Sequence, residues 1–254
     1  MVQTSTVRAV DNSLVTLDLE GVTAEELHSW TGHIRYTPRY GARGNTADVW
    51  AMELAPKSSL GAGANSVRGT ERERFAYNGG EVIIYDCGDI PDARWATWVG
   101  PWNMVHGMFY APQWEANDVL QVLSRVRWTD TPEGMTVSPG RRFNLQLVQY
   151  FLPVAGVGTL QVEPKRSSST PVPAWRGLST PAGEIWRMSS TEGPEYESLM
   201  LATESAVVTL DPWDVPRKGQ QGQSPQARSA QEQSNALGVA ADFLSRVKSA
   251  RWGA

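Results

Sequence analysis

Apolar and polar residues alternate over much of this chain, and alternation is the mark of a half-buried strand. Residues 5–19 alternate as a strand pair. Val7 and Val10 precede the turn Asp11-Asn12-Ser13, and Leu14, Val15, Leu17 and Leu19 follow it. Residues 34–40 and 46–54 read as strands on either side of a turn at 41–44, and 56–69 is a Gly/Ser/Ala-rich loop. A run of strands follows at 72–77, 81–85, 94–99 and 105–110. Two of its junctions, Asn78-Gly79-Gly80 and Gly100-Pro101-Trp102-Asn103, hold residues that accept the dihedrals of tight turns. In the second half, 143–152, 158–163, 183–189 and 198–210 read as strands, with a Ser/Pro loop at 165–173.

Helical spacing is expected at three places. Thr23-Ala24-Glu25-Glu26 is a capping box and predicts a short helix to about Trp30. Asn117-Asp118 caps a second, in which Val119, Val122, Leu123 and Val126 form one stripe. Leu237, Ala240, Ala241, Leu244 and Val247 form a third, with Phe243 beside the stripe. The stretch before it, 212–233, is rich in Gln, Ser, Gly and Pro and reads as a linker.

Two segments also match in kind and order. Gly79-Gly80-Glu81-Val82-Ile83 parallels Ala182-Gly183-Glu184-Ile185-Trp186, and Val122-Leu123-Ser124-Arg125-Val126 parallels Phe243-Leu244-Ser245-Arg246-Val247. The simplest account is a duplicated strands-then-helix unit. The expected fold class is therefore α+β: antiparallel sheets, each packed by a helix, in two similar units in tandem. The units would be 1–140 and 141–254, the second holding a Gln/Ser-rich linker at 215–233 and the C-terminal helix.

Val67-Arg68-Gly69, Trp95-Ala96-Thr97-Trp98, the stretch 118–128 and Thr131-Pro132-Glu133-Gly134 together carry a resemblance. Over residues 67–137 the chain resembles the PsbP-like soluble domains of actinobacterial lipoproteins and anti-sigma-like membrane proteins. The resemblance implies an extracytoplasmic-type binding or sensing module without a defined active site. The chain departs from that group in showing no lipidation signal or membrane segment.

Composition narrows the function. The chain has 254 residues, 41% of them hydrophobic, enough for a sizeable core. A net charge of −4 argues against a dedicated nucleic-acid binder. The most apolar stretch, 145–162, is broken by Gln146, Gln149, Pro153, Gly156, Gly158 and Gln161, so it is no membrane span. With no signal-peptide pattern at its start, the chain is expected to be soluble. As written it would be cytoplasmic, extracytoplasmic if a leader has been trimmed, or particle-associated.

Catalytic signals are sparse. Cys87 lies between Asp86 and Asp89, carboxylates that disfavour a thiolate, and reads as a packed loop residue. His28 and His33 do not share a helical face, and no His-Glu-x-x-His motif occurs. Asp86, Asp89 and Asp92 read as a solvated acidic turn, and His106 as a buried strand histidine. The expectation is no enzyme, no metal and no cofactor. The eleven tryptophans are the distinctive feature. They serve either as sheet core or as an aromatic platform for a partner. The candidate binding residues are Trp95, Trp98, Trp102, Trp114 and Trp252. The functional expectation is a non-catalytic binding or sensing module acting through a Trp-rich surface, with a protein partner or self-association. The alternatives are a structural component of a phage or contractile-tail-like assembly and a carboxylate hydrolase with a Trp-lined cleft.

Overall fold

A computed structural model describes residues 1–38, 50–60, 65, 68–90, 93–110, 115–124, 126–139, 143–189, 197–212 and 230–253. β1 (Val2–Arg8) and β2 (Leu14–Glu20) open the chain. β3 (Thr31–Pro38), β4 (Trp50–Pro56), β5 (Thr70–Tyr77), β6 (Gly80–Asp86), β7 (Ala93–Val99) and β8 (Asn103–Tyr110) follow. Then come α1 (Ala116–Leu123), β9 (Val126–Thr131), β10 (Gly134–Pro139), β11 (Phe143–Val154) and β12 (Gly158–Pro164). β13 (Leu178–Ser179), β14 (Glu184–Met188), β15 (Ser198–Ala202), β16 (Ala206–Asp211), α2 (Ala230–Ser245) and β17 (Val247–Gly253) complete it.

With seventeen strands and two α-helices among the described residues, the fold is β-rich. The expected α+β layering, one helix covering each sheet, does not form. Strands do much of the covering that was assigned to helices, as the central unit shows.

The chain divides into two compact units. The central unit comprises Arg8–Asn12 and Thr31–Val148. Its main sheet runs β3-β4-β8-β7-β6-β5 with antiparallel neighbours. Ile34, Met52, Leu54, Val82, Ile84, Ala96, Trp98, Val105 and Phe109 form the sheet's side of the core. Helix α1 contributes Val119, Val122 and Leu123, but the strand pair β9–β10 contributes Val126, Trp128, Met135 and Val137. Each large apolar side chain so buried stabilises by about 1.5–3 kcal/mol.

The terminal unit comprises Met1–Val7, Ser13–Trp30 and Gln149–Ala254, and so holds both ends of the chain. Its main sheet runs β11-β12-β16-β15-β14-β13, β11 entering at Gln149. Leu160 opposes Leu210 and Val162 opposes Val208, and all four are buried. Helix α2 packs on β15 and buries Leu237, Ala240, Phe243 and Leu244. After α2 the chain does not remain helical. β17 pairs antiparallel with β2, Ala250 opposite Leu17 and Trp252 opposite Val15. The second strand of the chain, β2, thus closes the unit built by the C-terminal half.

The two units share one plan: six strands in the same spatial order, then a helix, then a strand that pairs outside that series, β9 with β10 and β17 with β2. The match reaches individual residues. β4 ends at Pro56 and β12 at Pro164, each followed by a 3₁₀ turn, Lys57–Ser59 and Lys165–Ser167. Lys57 N donates to Trp102 O and Lys165 N to Ser205 O, both at 2.9 Å. Gly80 lies against the Val99 carbonyl and Gly183 against the Ala202 carbonyl, where a Cβ would collide.

Other expectations change. At Thr23 one half of the capping box forms, Thr23 N donating to Glu26 Oε2 at 2.8 Å, while Glu26 N donates to the Thr23 carbonyl at 3.2 Å, and only one turn follows. Leu27 then bridges Val154, so the chain is taken into strand pairing. The run 198–210 is a hairpin, turned where Thr203 N donates to Ala206 O. The linker expected at 215–233 lies outside the described residues as far as 229, and 230–233 open α2. No described helix is long and apolar enough to cross a membrane.

Candidate functional site

The five candidate tryptophans do not form one platform. Trp98 is buried in the central core, its Nε1 donating to Tyr77 O at 3.0 Å. Trp95, also on β7, is buried in a separate cluster with Cys87 and Ala93. Trp102, in the β7–β8 turn, is 54% exposed, and its backbone N–H donates to Asp130 Oδ2 at 2.8 Å. Trp252 belongs to the terminal unit and is buried, its ring 5.9 Å from Tyr150. Trp114 lies outside the described residues. An amphipathic indole fills a sheet core as readily as it makes a surface, so spacing alone does not separate these fates.

Two polar constellations emerge instead. In the central unit His33, Glu53, His106 and Thr97 occupy one cross-strand row. His106 Nε2 lies 2.9 Å from Glu53 Oε2, and its buried ring stacks on Trp95 at 4.7 Å. The His106 hydrogen bond holds the Glu53 carboxyl below the usual range, against the opposing effect of burial. Burial, with the nearby Arg35, pushes His33 down. The described residues include no group of three side chains placed to hold a metal ion. Burial pushes the Cys87 thiol up. Asp86 and Asp89 are engaged by Arg72, Arg94 and Arg68.

The second constellation fixes a loop. Glu163, at the end of β12, is only 1% exposed. It accepts from Ser168 Oγ (2.5 Å), Ser169 Oγ (2.7 Å), Ser169 N (2.9 Å), Gln161 Nε2 (3.1 Å) and Gln149 Nε2. Burial opposes its charge, but the hydrogen bonds from Ser168, Gln149 and Ser169 prevail and hold the carboxyl below its usual range. The carboxylate thereby organises the Ser-rich loop after the 3₁₀ turn.

Beyond that anchor the chain runs Pro171-Val172-Pro173-Ala174-Trp175-Arg176-Gly177 to β13. Two prolines limit its freedom. Trp186 Nε1 donates to Trp175 O at 2.9 Å, and Gly177 N donates to Glu184 Oε2 at 2.8 Å. Gly177 sits so close to Ile185 O and Trp186 that a side chain there would collide. On this tethered strap Val172, Trp175 and Leu178 are 37%, 68% and 63% exposed. The sequence marks the start of this stretch only as a Ser/Pro loop at 165–173. The available signal was a tryptophan flanked by prolines and an arginine, outside any alternating run.

The stretch that carries the PsbP-like resemblance forms, in its described part, β5 to β10 with α1. The chain matches no protein family, no curated protein and no solved structure.

Proposed function

We propose that the chain is a non-catalytic protein-binding subunit with a structural role, a component of a larger assembly of the phage or contractile-tail-like kind. The observation that carries this reading is the exposed Val172–Trp175–Leu178 strap, tethered to β14 at Trp175 and Gly177 on a sheet edge. Large apolar side chains on a preorganised backbone bind at small entropic cost, and tryptophan and arginine are the residues that dominate protein interfaces. The duplicated β-rich plan supports the same reading, since it repeats a frame and varies the loops. The Glu53–His106 pair is read here as a hydrogen-bonded feature of a sheet face.

The test is native mass by light scattering across a concentration range. An assembly subunit gives a defined particle larger than the 27.9 kDa chain. A chain that stays at 27.9 kDa at every concentration contradicts the reading.

A further inference from the structure

The two units build one hairpin turn in the same way and finish it differently. Lys57 N donates to Trp102 O and Lys165 N to Ser205 O, so Trp102 and Ser205 hold equivalent places. Gly100 N donates to Asn103 O and Thr203 N to Ala206 O, which makes Gly100 the counterpart of Thr203. In the central unit a carboxylate caps this turn. Asp130 of β9 accepts from Trp102 N at 2.8 Å, Asn103 N at 3.3 Å and Asn103 Nδ2 at 2.6 Å. β9 and β17 carry matching tryptophans, Trp128 opposite Val137 and Trp252 opposite Val15. Two residues beyond, the sequence has Asp130 in the first case and Ala254 in the second.

The terminal unit therefore has no acidic side chain at that sequence position. Thr203 takes over half of the capping: its Oγ1 accepts from Ala206 N at 3.1 Å and donates to Ala250 O at 2.8 Å. The Ser205 N–H, counterpart of the Trp102 N–H, has no acceptor among the described residues. Ser205 lines a cavity of about 460 Å³ within the terminal unit, together with Ser13, Lys165, Arg166, Glu204 and Trp252. Lys165 Nζ gives one N–H to Thr203 O at 2.7 Å and keeps its charge unmatched. The Arg166 guanidinium and the Glu204 carboxylate make no ion pair or hydrogen bond among the described residues.

We propose that this cavity binds a carboxylate brought by a ligand, which supplies from outside what Asp130 supplies within the central unit. The Ser205 N–H and the Arg166 guanidinium donate to it, and Lys165 adds charge; hydrogen bonds from charged donors to a carboxylate are the strong ones. A Cβ at Gly100 would stand 2.3 Å from Asp130 Oδ2. With Thr203 in that place an incoming carboxylate cannot repeat the position of Asp130, and it reaches the Ser205 N–H from the side of Lys165 and Arg166. Lys165 and Arg166 against Glu204 leave the walls a single net positive charge, which matches one carboxylate and not a phosphate dianion.

The experiment is ligand-observed NMR titration of the full chain, which works whatever the mass of the particle, with amide hydrogen exchange at Ser205 as the readout of place. The probes are acetate, the capped tripeptide Thr-Asp-Thr copied from residues 129–131, its Thr-Asn-Thr analogue, and inorganic phosphate. Acetate and Thr-Asp-Thr are expected to bind and to slow exchange at Ser205, and Thr-Asn-Thr is not. Equal affinity for acetate and Thr-Asp-Thr assigns the site to free carboxylic acids, and a tighter tripeptide assigns it to an acidic side chain of a polypeptide. Arg166→Ala should raise the dissociation constant about tenfold or more, and Glu204→Gln should lower it. Both side chains are exposed and unpaired among the described residues, so both variants should melt as the parent does. Lys57→Ala, at the matching turn of the central unit, should leave binding unchanged. Binding of neither carboxylate probe overturns the proposal. So does tighter binding of phosphate, equal binding of the Asn analogue, or an affinity that Arg166→Ala leaves untouched.

Discussion

Glu163 shows how one side chain sets the position of a loop. Five donors from Gln149, Gln161, Ser168 and Ser169 converge on a carboxylate that water scarcely reaches. Removing the acceptor strands those donors, so Glu163→Ala should lower stability by about 2–4 kcal/mol in a denaturant titration. The pH dependence follows from the lowered carboxyl. Its contribution is complete above the ordinary carboxylate value and is lost as pH falls through the lower folded-state value. Between about pH 5 and pH 3 the parent should therefore lose stability more steeply than Glu163→Gln. Equal slopes would show that the folded and unfolded carboxyls titrate alike. Nothing local in the sequence marks this residue, because its partners come from β11, β12 and the following loop. The tryptophans were visible as residues and not as sites, since burial depends on which sheet face each one meets.

At the scale of elements, the alternating runs located most strands, and the turn residues located the β5–β6 and β7–β8 junctions. The C-terminal segment misled for a physical reason. β17 carries a bulge between Val247 and Ser249, so its buried positions fall at Val247, Ala250 and Trp252. The bulge opens a spacing of three within a strand, and spacing of three reads as helix continuing from Leu244. Of the capping box expected at Thr23 only the bond from Thr23 N to Glu26 forms, and one turn is too costly a nucleus to propagate against strand pairing. Two element-level tests follow. Gly80→Ala and Gly183→Ala each place a Cβ against a strand carbonyl and should each cost about 1–3 kcal/mol. A neutral result at either position would break the equivalence of the two hairpins. Leu17→Ala, in the strand that closes the terminal unit, should cost about 2–5 kcal/mol. Hydrogen exchange should place that loss in β15 and β16. Equal acceleration in β6 and β7 would contradict the assignment of β2 to the terminal unit.

For the whole molecule, the short similarities around Gly80 and Gly183 hinted at repetition, and the strand orders now give it content. The sequence did not reveal how the units are closed. The central unit pairs β9 with β10, and the terminal unit pairs its last strand, β17, with β2 from the start of the chain. Such closure depends on pairings between residues far apart in the chain, such as Leu17 with Ala250, which no local pattern encodes. The helices were legible in place and overestimated in weight, because strand pairs such as β9–β10 share the covering of the core. The proposed function rests on a feature that the plan does not repeat, the exposed Pro/Trp strap. The most direct measurement is amide hydrogen exchange at Val172, Ala174, Trp175 and Arg176 as a function of protein concentration. Self-association through the strap predicts fast exchange in dilute solution and marked slowing as the protein is concentrated. Exchange at these amides that is the same at every concentration would contradict it.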